Sequence, residues 1–144
     1  MEKKGMHIIG LAVETTNQGG QAMRDLGELW QRFIQENIPQ KIANKVNSCV
    51  YCIYTDYESD YTGSYTAIIG VAVNSLERIP TGLVGRTFEG GNFIVYEAVG
   101  EMPQAVGEAW NNIWSKDAAL NRLYTYDYEV YGENAKGVNI YIAV

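Results

Sequence analysis

Glu129 stands in the run Asp127-Tyr128-Glu129-Val130-Tyr131, an acid set among aromatic and apolar residues with strong β propensity. A carboxylate in such a strand can act as a general base, as half of an ion pair, or as the counter-charge for a cationic ligand. If Tyr131 faces Val138 across the hairpin that follows, Glu129 lies opposite Ile140 and Asp127 opposite Ile142. Directly opposed residues share a face. That register sets Glu129 with Val138, Ile140, Ile142 and Val144 on the apolar side, while Tyr124, Tyr126, Tyr128 and Tyr141 point the other way. A buried carboxylate is costly unless paired or neutralised. No lysine or arginine occupies the neighbouring stripes. Spacing leaves three readings open: exposure at a sheet edge, a partner remote in sequence, or a charge held for a positively charged ligand.

Trp110 and Trp114, one helical turn apart, offer ring faces for a cation or simply pack on a sheet. Other chemical templates fail. Cys49 and Cys52 have C-x-x-C spacing, but they sit in the β-prone run Cys49-Val50-Tyr51-Cys52-Ile53-Tyr54, where residues three apart face opposite ways. With no second ligand pair and one histidine, His7, neither a zinc site nor a Cys-His or Ser-His nucleophile is expected. Gly19-Gly20 lacks a phosphate-loop lysine, and Gly90-Gly91 reads as a hairpin turn. Asp56, Glu58 and Asp60 alternate like a calcium loop but lack its glycine and closing glutamate. No metal and no cofactor is expected.

The elements that must position these residues follow from periodicity. Met6 to Thr16 reads as a strand, Asn17-Gln18-Gly19-Gly20 as a break, and Gln21 to Asn37 as a helix with one stripe of Ala22, Met23, Leu26, Leu29, Trp30, Phe33 and Ile34. Strands at Cys49 to Asp56 and Tyr65 to Val73 flank a polar loop. After Pro80 and Gly82 the order repeats. Leu83 to Val99 is strand material interrupted at Glu89 to Asn92, Pro103 opens a helix to about Trp114, and Tyr124 to Tyr131 pairs with Val138 to Val144. The fold class is therefore α+β. Two strand–helix–strand–strand units, about 1–76 and 83–144 within a single domain 1–144, form one antiparallel sheet with both helices on one face and a ligand cleft between them.

Length and composition agree with a globular domain: 144 residues, 47% apolar, with 11 Tyr and 3 Trp against 3 Phe. The net charge of −6 disfavours direct contact with nucleic acid. No segment approaches a membrane span, and the run Ile8 to Val13 lacks the features of a secretion signal, so the cytoplasm is the default location.

Several spaced motifs carry a resemblance. Leu29-Trp30-Gln31-Arg32-Phe33, the stretch Tyr54 to Tyr65, Ala109-Trp110 through Trp114, Asp127 to Tyr131 and Ile140 to Val144 together resemble the gyrase-inhibitor-like (GyrI-like) effector-binding family. These are the ligand-binding modules of AraC-type and multidrug-sensing MerR-type transcription regulators. The chain also resembles the stand-alone cationic-drug-binding proteins of integron gene cassettes. The resemblance implies a buried glutamate, here Glu129, that meets a hydrophobic cation, with Trp110 as an aromatic wall and Tyr54, Tyr65, Phe33 and Tyr96 as further wall residues. It departs from the regulators in offering no helix-turn-helix unit, so a homodimer or a separate protein partner stays open. The alternatives are a hydrolase using Glu129 with a tyrosine, and a gyrase-type protein-inhibiting module.

Overall fold

The computed structural model describes residues 1–144. Its strands are β1 (Glu2–Lys3), β2 (Met6–Thr16), β3 (Val50–Thr55), β4 (Ser64–Val73), β5 (Val84–Phe88), β6 (Gly91–Val99), β7 (Tyr126–Asn134) and β8 (Gly137–Ala143). The helices are α1 (Gln21–Gln35), α2 (Gln104–Ser115) and the single turn α3 (Asp117–Leu120). One sheet contains every strand in the order β1-β6-β8-β7-β3-β4-β2-β5, antiparallel throughout. The class is α+β, and the doubling is visible in the topology. The first unit contributes β3-β4-β2, the second β7-β8-β6, and they join edge to edge through β3 and β7.

The segment around Gly90 differs from expectation. Gly90-Gly91 does not turn a hairpin, because β5 pairs with β2 while β6 pairs with β8 and β1. The chain passes from one unit to the other there, alongside the passage from β1 to β2. A Cβ on Gly5 would lie 2.6 Å from the Phe88 carbonyl oxygen, and one on Gly90 2.6 Å from that of Lys3. Both glycines are thus required by close backbone approach. These two continuous segments tie the sheet's ends together and curl it.

Curling gives the sheet two buried faces. Inside the curl, Ile8, Ile53, Ile68, Phe88, Phe93, Tyr126, Tyr128 and Tyr141 form one core, with Tyr128 and Tyr141 stacked at 4.6 Å between ring centroids. Each such side chain contributes roughly 1.5–3 kcal/mol by leaving water. The outer face is covered by the helices. Beneath α1 lie Ile9, Leu11, Cys52, Ile69 and Val71; beneath α2 lie Ala98, Val138, Ile140 and Ile142.

The stripe on α1 divides in two. Ala22, Leu26, Leu29 and Phe33 face the sheet, while Met23 and Ile34 are 83% and 67% exposed. At 100° per residue, positions 23, 27, 30 and 34 lie a quarter-turn round from the sheet-facing row. Met23, Gly27 and Trp30 on that flank border the space between α1 and α2. The helix also ends two residues early, at Gln35, and a 3-10 turn (Ile38–Lys41) carries Pro39.

Candidate functional site

Strand parity positions the acid. In the β3–β7 and β7–β8 ladders, Glu129 lies opposite Cys52 on one side and Ile140 on the other, both of which face the helices. A bulge between Val130 and Asn134 leaves Tyr131 without a partner in β8, although it pairs with Val50 of β3, and the register at Tyr128 and Glu129 is the expected one. Glu129 is 2% exposed. Three neutral groups donate to its carboxylate: Tyr54 Oη at 2.7 Å and Trp110 Nε1 at 2.7 Å to Oε2, and Tyr131 Oη at 2.6 Å to Oε1. No lysine or arginine forms an ion pair with it. Burial pushes its pKa up, and the three donors only partly offset that rise. Burial likewise holds the Tyr54 and Tyr131 phenols far above the ordinary tyrosine value, so both remain protonated donors.

Above this carboxylate is a cavity of about 620 Å³ between α1 and α2. Its aromatic lining comes from both helices, from β3, β4 and β7, and from the loop after β3: Trp30, Tyr54, Tyr57, Tyr61, Tyr65, Trp110, Trp114 and Tyr131. The rings meet mainly edge to face. Tyr54 stands 5.4 Å from Trp110 and 5.7 Å from Tyr65, and Trp30 stands 4.9 Å from Tyr131. Tyr61 instead stacks flat on Trp114 at 5.7 Å and ties the loop to α2 at one end. Edge-to-face packing leaves ring faces free for a guest.

The only guanidinium lining the cavity is already committed. Arg122, its side chain 1% exposed, pairs with Asp127 at 2.8 Å and Asp117 at 3.1 Å, and stacks 4.3 Å over Tyr124. Asp127 also accepts from Tyr57 at 2.5 Å and from the Ala143 amide at 2.9 Å. One positive charge faces two carboxylates here, so none is spare for Glu129.

Of the residues that sequence singled out, Glu129, Trp110, Tyr54 and Tyr65 converge on this cavity. Phe33 and Tyr96 do not line it. Phe33 is on the sheet-facing row of α1, 3% exposed, with Trp30 taking the groove one turn earlier. Tyr96 faces Ile140, two strands from Glu129 and therefore about 10 Å away across the sheet. Sequence reasoning passed over Tyr131, Trp30, Tyr57 and Arg122. Tyr131 had a usable signal, because it shares the parity of Glu129 two positions earlier. Arg122 had none, as its partners are brought to it by the turn before β7.

A curled antiparallel sheet bearing two helices, with an aromatic cavity between them, defines the class as an α+β domain with an open groove on its helical face. The chain belongs to the Cass2 family, described as integron-associated effector binding protein, which matches residues 1–144. A solved integron cassette protein from Vibrio cholerae, VCH_CASS2, is 34% identical, with a TM-score of 0.81, covering 100% of this chain and 93% of that one. SAV2435, solved bound to tetraphenylphosphonium, shares the fold at a TM-score of 0.80 and 21% identity, covering 100% and 91% of the two chains. YobU of Bacillus subtilis (strain 168), whose name marks it as a candidate transcriptional regulator, is 24% identical over 128 residues, 84% of this chain and 80% of its own. No helix is long and apolar enough to cross a membrane.

Proposed function

We propose that this protein binds bulky aromatic cations in the groove between α1 and α2, with Glu129 as counter-charge and Trp110, Trp30, Tyr54, Tyr65 and Tyr131 as walls. The observation that carries this reading is a carboxylate 2% exposed, held by three neutral donors and no cation, at the floor of a cavity of about 620 Å³. Neutral donors satisfy its lone pairs but leave its net charge uncompensated in a low-dielectric setting. A bound cation supplies the missing charge. The rings add cation–π and dispersion contacts that tolerate varied shapes, which suits a site of broad specificity. The complex of SAV2435 with tetraphenylphosphonium supports lipophilic cations as the ligand class.

The test is a pair of ions with one shape and opposite charge. Tetraphenylphosphonium is expected to quench or shift tryptophan fluorescence saturably, and tetraphenylborate is not. Equal binding of the two sinks the role of Glu129 as counter-charge.

A hydrolytic reading rests on the same carboxylate, with Tyr54 or Tyr131 as proton donor. Phenols held so far above their ordinary value release a proton reluctantly, which favours binding over turnover. Turnover of an activated ester that vanishes in Glu129→Gln would reverse that preference.

A further inference from the structure

The two helices that border the groove carry the same short pattern: Gly27-Glu28-Leu29-Trp30 in α1 and Gly107-Glu108-Ala109-Trp110 in α2. Both tryptophans lead to one carboxylate. Trp110 donates to Glu129 directly at 2.7 Å, and Trp30 stands 4.9 Å from Tyr131, which donates to Glu129 at 2.6 Å. Both glycines, nearly one turn before their tryptophans, line the same cavity.

Nothing in the folded chain requires glycine at either position. Neither has the positive φ that favours it. A Cβ added to either would meet no atom within 4 Å beyond the adjoining backbone of its own helix, whereas at Gly5, Gly90 and Gly137 it would collide with backbone from another segment. Close helix crossing is not the reason either, because α1 packs on β2 and β4 and α2 on β6. Within a helix, glycine is disfavoured relative to alanine because it loses more backbone freedom on folding. Two residues that disfavour their helices and serve no packing contact occur at matching places on opposite walls. What they leave is space beside each tryptophan.

We propose that Gly27 and Gly107 are the specificity-determining pair of this groove. By withholding a side chain from both walls they leave open space beside each tryptophan, and one aromatic ring of the ligand enters it on each side. The ligand class is then an onium ion from whose charged centre at least two aryl groups diverge, in preference to a cation with a single ring. This rests on the cation reading above and adds the shape of the ligand to its charge.

The test uses two cations of equal charge, tetraphenylphosphonium and benzyltrimethylammonium, with wild type, Gly27→Ala, Gly107→Ala and the double variant, followed by calorimetric titration and thermal unfolding. In the double variant, tetraphenylphosphonium affinity is expected to fall about tenfold or more, a loss of roughly 1.4 kcal/mol. Benzyltrimethylammonium affinity should stay within about twofold of wild type. The melting temperature of each single variant should rise, by about 2–4 °C, as helix propensity improves. Unchanged tetraphenylphosphonium affinity in the double variant overturns the role of the glycines while leaving the cation reading intact. Equal loss of both cations with a lowered melting temperature also overturns it, by making the glycines structural. Failure of wild type to bind either cation overturns the cation reading, and this inference with it.

Discussion

Trp110 of α2 and Glu129 of β7 are joined by a hydrogen bond of 2.7 Å from the indole Nε1 to Oε2, which fastens a wall of the groove to the charge at its floor. The same oxygen accepts from Tyr54 of β3, so a helix and two strands from both units meet on one atom. Glu129 is thereby oriented without being neutralised. Its behaviour on substitution follows from that distinction.

Glu129→Gln keeps the side chain's volume and removes its charge. Tetraphenylphosphonium affinity is expected to fall between tenfold and several hundredfold, about 1.4–3.5 kcal/mol. Without ligand, the variant should unfold at the same temperature as wild type or higher, because a buried unpaired charge has been removed. Fluorescence titration and thermal unfolding read the two effects separately.

The raised pKa of Glu129 gives stability and binding opposite pH trends. Burial lifts the folded carboxyl above its ordinary value of 4.5, so the folded state retains a proton that the unfolded chain has released. The resulting stability contribution is fully present below pH 4.5 and is lost as the pH climbs through the folded value. Cation affinity should rise over that same interval, as the carboxylate ionises. Urea unfolding of wild type minus Glu129→Gln across pH isolates the first trend, and titration at each pH reads the second. A pH-independent difference between the two proteins contradicts both.

Tyr54→Phe and Tyr131→Phe each keep a ring and delete one donor to the carboxylate. The proton on Glu129 should then be held to higher pH, since hydrogen bonds to the ionised form favour it. The midpoint of the pH dependence of cation binding is expected to move upward in each. Binding at high pH should change by less than in Trp110→Ala, which removes donor and ring together. Parallel titrations of the three variants check the order.

Arg122→Met strands the carboxylate of Asp127, which is fully buried and 2.8 Å from the guanidinium. Loss of about 3–5 kcal/mol of stability is expected in urea unfolding. Adding Asp127→Asn should recover part of that loss, because the uncompensated charge is then gone. A double variant less stable than Arg122→Met would contradict this account.

How much of this was legible in the sequence varies by distance along the chain. Two-residue alternation placed Tyr124, Tyr126, Tyr128 and Tyr141 on the face opposite Glu129; the last three lie in the core inside the curl, whereas Tyr124 precedes β7, escapes its alternation and packs on Arg122 and Tyr57. Helical spacing identified the α1 stripe but not its division, since a row 100° from the sheet has no fixed neighbour until a second helix lies beside it. Trp30 and Phe33 are both stripe residues by sequence, and only the docking of α1 sent one to the groove and the other to the core. The segment around Gly90 was misread for a similar reason. A glycine pair between two strands has the composition of a hairpin turn, and pairing of β5 with β2 is a contact across more than seventy residues.

The sequence by itself determined that Glu129 stands on the apolar, helix-covered face, because side-chain alternation and the pairing of a short hairpin are local properties of β7 and β8. It also determined that no cation adjacent in sequence would neutralise that charge. Tertiary structure alone decided which rings surround it, since Tyr54, Trp110 and Trp30 arrive from strands and helices whose mutual placement depends on the whole sheet closing. It also decided that Arg122 would be spent on Asp117 and Asp127. The physical difference is one of range: parity is set by adjacent peptide units, whereas a cavity exists only once distant elements have excluded water together.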